Sequence, residues 1–140
     1  MPLNRKVQVI LYRTQPAFEI LVLKRKEADR GEWHPVTGNV DRHEQVMAAA
    51  VREVSEETGY DVTVRPTGQT FTYEIESGRQ KGRHHETVFV ANVDTEEQGE
   101  PELSDEHEAA EWLSPAKAQE RFSWDEQKKA VEQLAASHSA

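Results

Sequence analysis

Glu53, Glu56 and Glu57 stand close together in the segment GNVDRHEQVMAAAVREVSEETGY, residues 38–60. On a helix each residue advances about 100°, so these carboxylates fall within about 100° of arc. Like charges so placed repel unless a cation sits among them. Carboxylate oxygens are natural ligands of Mg²⁺, which keeps several waters and bridges to substrate phosphates. A solvated acidic helix face would satisfy the same glutamates taken alone, so the surrounding pattern has to decide. The chemistry at stake is that of a metal-dependent enzyme.

The element that must present them is a helix from about Glu44 to Thr58. Met47, Ala50, Val51 and Val54 recur at three- and four-residue spacing and predict one buried face. Gly59 is placed to stop the helix. Its start is open: Asp41 followed by Glu44 resembles a capping box, and a start nearer Gln45 fits as well. Ala49 lies one turn before the carboxylates in their own stripe, where a small side chain leaves room beside them. The apolar stripe is adjacent, which predicts glutamates at the rim of the core.

Around this helix the sequence predicts strands. Residues 6–13 (KVQVILYR) and 18–25 (FEILVLKR) read as a hairpin. The polar segment Lys26–Glu32 leads to an extended piece, Trp33–Thr37, in which Pro35 disfavours helix at His34. Further strands are expected at 60–66, 69–76 and 86–93, with a basic loop at Ser77–His85 and an exposed acidic stretch at Asp94–Glu108. A short strand at Ala110–Leu113 precedes a helix opened by Pro115 at its first position, and a second helix covers Asp125–Ala136.

Residues 38–60 resemble the Nudix box position for position: Gly38, Glu44, Arg52-Glu53, aliphatic Val54, Glu56-Glu57 and Gly59. Tyr60 stands where an aliphatic residue is usual and still offers a ring to the core. The resemblance implies an α/β protein with the Nudix fold: an α/β/α sandwich with a mixed, curved sheet and the box as a loop-helix-loop, one domain over residues 1–140. It implies Glu53, Glu56 and Glu57 as metal ligands, joined by the Gly38 carbonyl. Arg52 and Glu44 are implied as orienting residues, with Arg52 able to reach Glu56 at i+4. For Arg52 the alternative is a surface ion pair, and for Glu44 a capping role. The implied reaction is hydrolysis of a phosphoanhydride with Mg²⁺, or Mn²⁺, as cofactor, and Glu57 or a loop glutamate as base.

Composition agrees with a small anionic substrate. Against 17 Lys and Arg stand 26 Asp and Glu, a net charge of −9, which disfavours long nucleic acids, whose binding rests on phosphate neutralisation. Metals and a few local cations can still hold a small anion in one cleft. The absence of cysteine excludes disulfides and thiolate chemistry. No apolar run is long enough for a membrane span, and the N-terminus reads as a first strand rather than a signal peptide. A cytoplasmic monomer or homodimer is expected.

Substrate choice has to come from outside the box. The segments WHPVTGNV, EHEAAEWL and FSWDEQKKAVEQL resemble the bacterial dihydroneopterin triphosphate pyrophosphatase branch, which also acts on nucleoside triphosphates. That likeness implies Glu106 as a further metal ligand and Arg25, Thr37 and Ser123 as substrate contacts. Arg25, between Lys24 and Lys26, suits a phosphate clamp. Trp33 and Trp124 either stack on a flat ring or belong to the core. The expected substrate is a (deoxy)nucleoside or pterin triphosphate, cleaved to monophosphate and pyrophosphate. Dinucleoside polyphosphates, nucleotide sugars and RNA ends are the alternatives within the same chemistry, and a non-catalytic nucleotide sensor lies outside it. Ile75–Glu76, where the ADP-ribose branch commonly has proline, counts against that branch.

Overall fold

A computed structural model of the chain describes residues 4–26 and 32–138; residues 27–31 of the polar connection and the last two residues lie outside these. The elements begin with β1 (Asn4–Arg13), β2 (Glu19–Arg25), β3 (Trp33–His34), β4 (Val36–Asn39) and α1 (Val46–Thr58). They continue with β5 (Arg65–Ile75), β6 (Gly82–Asn92), α2 (Thr95–Gln98), β7 (His107–Leu113), α3 (Pro115–Arg121) and α4 (Asp125–His138).

The feature that builds the site is a fork between β1 and β2. They pair antiparallel only where the hairpin closes, at Tyr12↔Ile20 and Arg13↔Glu19. Beyond that they diverge, and the chain re-enters the gap. There β3 pairs with β2 through Leu23↔His34, and β4 pairs with β1 through Val7↔Gly38 and Gln8↔Thr37. Pro35 stands at the changeover, where no ladder N–H is required of it. On its other edges β1 runs parallel to β6, β6 pairs antiparallel with β5, and β7 pairs antiparallel with β2. The sheet is therefore mixed.

Strand alternation sorts side chains to two faces. Val7, Val9, Leu11, Leu21, Leu23, Phe89 and Ala91 pack with Ala49, Ala50 and Val54 of α1 and with Tyr60, Val62 and Val64. On the other face Ile10, Tyr12, Ile20, Val22, Val88 and Val90 pack with Ala118 and Phe122 and with Ala130, Val131 and Leu134 of α4. Helices on both faces of one sheet give the expected α/β/α sandwich. Among the described residues no helix is long and apolar enough to cross a membrane.

Several boundaries differ from the sequence expectation, each for a physical reason. The segment expected as a strand at 60–66 is not one through residue 64. Tyr60, Val62 and Val64 alternate inward, but they plug the space beside α1 without pairing, and a single long strand begins at Arg65. The basic loop is shorter than Ser77–His85, because β6 already starts at Gly82 and His84 is buried, stacked on Tyr73 at 5.4 Å. The acidic stretch is not loop throughout. Asp94 accepts from the N–H groups of Glu96 and Glu97 and so caps α2, and β7 begins at His107. Helix α1 starts at Val46 with Gln45 as its cap residue and no side-chain cap. Met47 is 46% exposed, while Ala49, expected beside the carboxylates, is core.

Gly59 ends α1 at a φ of 77°, with its N–H returning to the Ser55 carbonyl at 2.9 Å. A Cβ there would sit 3.3 Å from that of Glu102. The Gly59→Ala substitution is expected to cost about 1–2 kcal/mol, read as a lower urea midpoint with an unchanged m-value.

Candidate active site

Arg52 organises the cluster. Its guanidinium donates from Nε and Nη2 to the two Glu44 carboxylate oxygens at 2.8 and 2.9 Å. Nη1 donates to Glu53 at 2.7 Å and to Glu56 at 2.9 Å, and Nη2 also donates to the Asn39 carbonyl at 2.9 Å. This planar fork engages three carboxylates and one carbonyl, a geometry lysine cannot reproduce. The Glu44 carboxyl is held down at about 2, first by the Arg52 hydrogen bonds and then by the Asp41 N–H. Glu44 thus closes the turn before α1 and anchors Arg52; it does not cap the helix.

Glu57 is the exception among the acids. It continues the apolar stripe of Ala50 and Val54 and is only 4% exposed. Its Oε1 has no hydrogen-bond partner. Burial, and next the adjacent Glu53, push its carboxyl well above the ordinary carboxylate range; Glu106 adds repulsion and Arg25 opposes it. Gly38 is what lets the cluster form, because a Cβ built there would lie 2.1 Å from the Glu53 carboxyl carbon. Close approach of backbone to carboxylate explains glycine at this position.

Behind Glu57 stand two buried histidines that sequence reasoning did not single out. His34 Nδ1 donates to the Pro35 carbonyl at 2.5 Å, which leaves its Nε2 as an acceptor. His107 Nε2 donates to it at 2.9 Å, and Glu57 Oε1 lies 3.8 Å from the same His107 nitrogen. Burial, then the Arg25 charge, lower His34 to about 3 and His107 to about 4. Both are neutral near pH 7, so neither supplies Glu57 with a counter-charge. The only signals in the sequence were the H-P dipeptide at 34–35 and the E-H dipeptide at 106–107.

A buried carboxyl group with one unsatisfied oxygen, beside a second carboxylate and a backbone turn, is a donor set for a hard divalent cation. Glu53 and Glu57 fit that role, and the Gly38 carbonyl lies in the same corner. Glu56 is half exposed and engaged with Arg52, so it has to turn away from Arg52 to join them. Among the described residues no three acids or imidazoles already converge on one point.

The substrate-contact candidates divide. Arg25 and Thr37 come together, with Arg25 Nη2 donating to Thr37 Oγ1 at 3.4 Å. Both line a cleft of about 320 Å³ on the α4 side of the sheet, with Lys6, Gln8, Tyr73 and Trp124. Trp124 is 58% exposed at its rim, whereas Trp33 lies elsewhere, beneath the Arg121 guanidinium at 4.7 Å. Ser123 is exposed next to Trp124 and does not line the cleft. Glu106 is exposed at the start of β7, near enough to act on Glu57. A larger concavity of about 990 Å³, between α4 and residues 61–67, contains none of the predicted site residues.

The buried histidines give a pH signature. Their folded pKa values lie below the unfolded value of 6.5. Their contribution is therefore present above that pH and lost as pH falls towards 4 and 3. Over two pH units below 6.5 His34 alone is expected to cost roughly 2 kcal/mol. Urea unfolding across this range is expected to show a shallower loss in His34→Gln than in the wild type; equal slopes would contradict the neutral, buried assignment.

A family model described as NUDIX domain matches residues 2–134. The chain is 32% identical over 140 aligned residues to dihydroneopterin triphosphate diphosphatase of Escherichia coli strain K12, covering 91% of this chain and 89% of that protein. The solved E. coli dihydroneopterin triphosphate pyrophosphohydrolase superposes with a TM-score of 0.77 at 25% identity, covering 92% of each chain. An octanoyltransferase of Myxococcus xanthus is 26% identical over 122 residues, 86% of this chain, which spans only 34% of that protein. With the box, the fold, the family model and the E. coli relative in agreement, the chain belongs to the Nudix family and is a hydrolase acting on acid anhydrides.

Proposed function

We propose that the chain is a Mg²⁺-dependent pyrophosphohydrolase that cleaves a (deoxy)nucleoside or pterin triphosphate to the monophosphate and pyrophosphate. The observation that carries this reading is the buried Glu57 carboxyl group, whose Oε1 has no hydrogen-bond partner, within electrostatic reach of Arg25 and the cleft Arg25 lines. Such a carboxylate calls for a cation, and Arg25 with Thr37 suits the phosphates of a ligand whose ring occupies the cleft. The likeness to the E. coli enzyme supports the substrate class.

Glu53, Glu57 and the Gly38 carbonyl would hold the ion, with Glu56 and Glu106 completing the set. Bound there, Mg²⁺ supplies water activation and charge stabilisation at phosphorus. The chain's own residues do the rest. Arg52 fixes Glu53 and Glu56 in orientation while Glu44 fixes Arg52. Arg25 orients and neutralises phosphate oxygens, and the Thr37 hydroxyl can donate to one. Glu57, or Glu106 from its exposed position, accepts the proton of the attacking water. Mn²⁺ suits the same oxygen donors.

Glu57→Gln separates chemistry from folding. Pyrophosphate release is expected to fall about 10²–10⁴-fold. In chelator, the variant is expected to resist urea better than the wild type at pH 8, because the folded wild type holds a proton on Glu57 that the unfolded chain releases. Wild-type turnover in the variant would sink the assignment, as would a wild-type protein inert towards every nucleotide or pterin diphosphate bond in Mg²⁺.

A further inference from the structure

The cleft beside Arg25 has a polar inventory beyond what phosphate binding needs. On its floor the Gln8 side chain is fully buried, and neither its amide nitrogen nor its amide oxygen has a partner. Glu86, on the neighbouring strand, is 6% exposed and accepts from the Tyr73 hydroxyl at 2.8 Å. Its register partner on β1 is Lys6, which lines the same cleft. The side-chain amide oxygen of Gln127, on α4, is likewise buried and unpartnered. Phe71 and the exposed Trp124 line the cleft with flat apolar faces. Buried polar groups without partners are costly, and here they cluster in a cleft at the lower end of the size range for small-molecule sites.

The chemistry of these groups selects among flat rings. An ionised carboxylate only accepts hydrogen bonds, whereas a carboxamide offers one donor and one acceptor side by side. Guanine and pterin share a 2-amino-4-oxopyrimidine ring, which presents a ring N–H and an exocyclic amine on one edge with a carbonyl next to them. Adenine and cytosine place a lone pair beside their amine, which an acceptor repels. Uracil and thymine have the ring N–H but no amine.

We propose that this cleft reads a 2-amino-4-oxopyrimidine ring, with Glu86 accepting from the ring N–H and the exocyclic amine and Gln8 donating to the adjacent carbonyl. Tyr73 orients the Glu86 carboxylate by donating to its Oε1, which keeps a further lone pair for the ring. Trp124 and Phe71 supply stacking faces. The inference rests on the proposed triphosphate hydrolysis and narrows its substrate to guanine nucleotides or pterin triphosphates. Arg25 and Thr37, shared between cleft and carboxylate cluster, join the ring subsite to the phosphates.

The test compares kcat/KM for GTP, dGTP, dihydroneopterin triphosphate, ATP and CTP in wild type and Glu86→Gln. In the wild type the three 2-amino-4-oxo substrates are expected to exceed ATP and CTP by at least about 100-fold. In Glu86→Gln that ratio is expected to fall below about 10-fold. Preference for GTP and dGTP assigns the cleft to nucleotides, and preference for the pterin assigns it to pterins; either supports the ring reading. Equal cleavage of all five would overturn it while leaving the triphosphate hydrolase intact. A parallel measurement needs neither turnover nor a variant that folds: binding of guanosine, neopterin, adenosine and cytidine to the wild type, followed by tryptophan fluorescence. Selective binding of guanosine or neopterin without cleavage of any triphosphate would preserve the ring reading and overturn the proposed function. Binding without selectivity would overturn the ring reading independently.

Discussion

The site depends on one electrostatic constraint: the Glu57 carboxyl group lies at the end of an apolar stripe, and among the described residues no charged side chain forms an ion pair with it. Arg52 is saturated by Glu44, Glu53 and Glu56, and the nearest imidazole is held neutral by burial. Arg25 acts on Glu57 at longer range. An ionised carboxylate in that position is expensive unless paired. The fold tolerates the cost because α1 is pinned on both sides, by Ala49, Ala50 and Val54 in the core and by the Arg52 fork at the surface. The result is a carboxyl group positioned by packing, with its Oε1 left without a hydrogen bond.

The fork between β1 and β2 turns that constraint into a working geometry. By admitting β3 and β4 between the two strands, it carries Gly38 under Glu53 and Thr37 onto the opposite face beside Arg25. Successive residues of one short strand thus serve two compartments, the carboxylate corner against α1 and the cleft under α4. The same device sets His34 on β3 against His107 on β7 through their shared neighbour β2, closing the space behind Glu57. The cleft residues Arg25 and Thr37 and the carboxylate corner are thus carried by one sheet.

Much of this was legible in the sequence, unevenly. The carboxylate cluster was legible from its helical period and the box from its resemblance to a family pattern; Arg52 reaches Glu56 as i+4 spacing predicts, whereas the parts of Glu44 and Gly38 were implied by the resemblance. The strands of the hairpin were legible from their β-branched runs. The fork was not, since nothing local tells that two hairpin strands will part and accept a third segment. Residues 60–64 alternate as a strand does yet pack beside α1 without pairing, since alternation reports burial and not a ladder. Glu57 was expected at the rim of the core and lies inside it, since periodicity gives a face and not a depth. Gln8, Glu86 and the two histidines come from strands far apart in the chain, so no window of sequence shows them as a group.

The most direct test of the central claim is cation binding by the wild-type protein, titrated with Mn²⁺ and followed by electron paramagnetic resonance at pH 8. The account predicts saturable binding that is displaced by Mg²⁺ and strongly weakened when Glu57 is replaced by glutamine. Undiminished binding in that variant, or no saturable binding by a wild-type protein that hydrolyses its substrate, would contradict the view that the buried carboxylate is built for a metal.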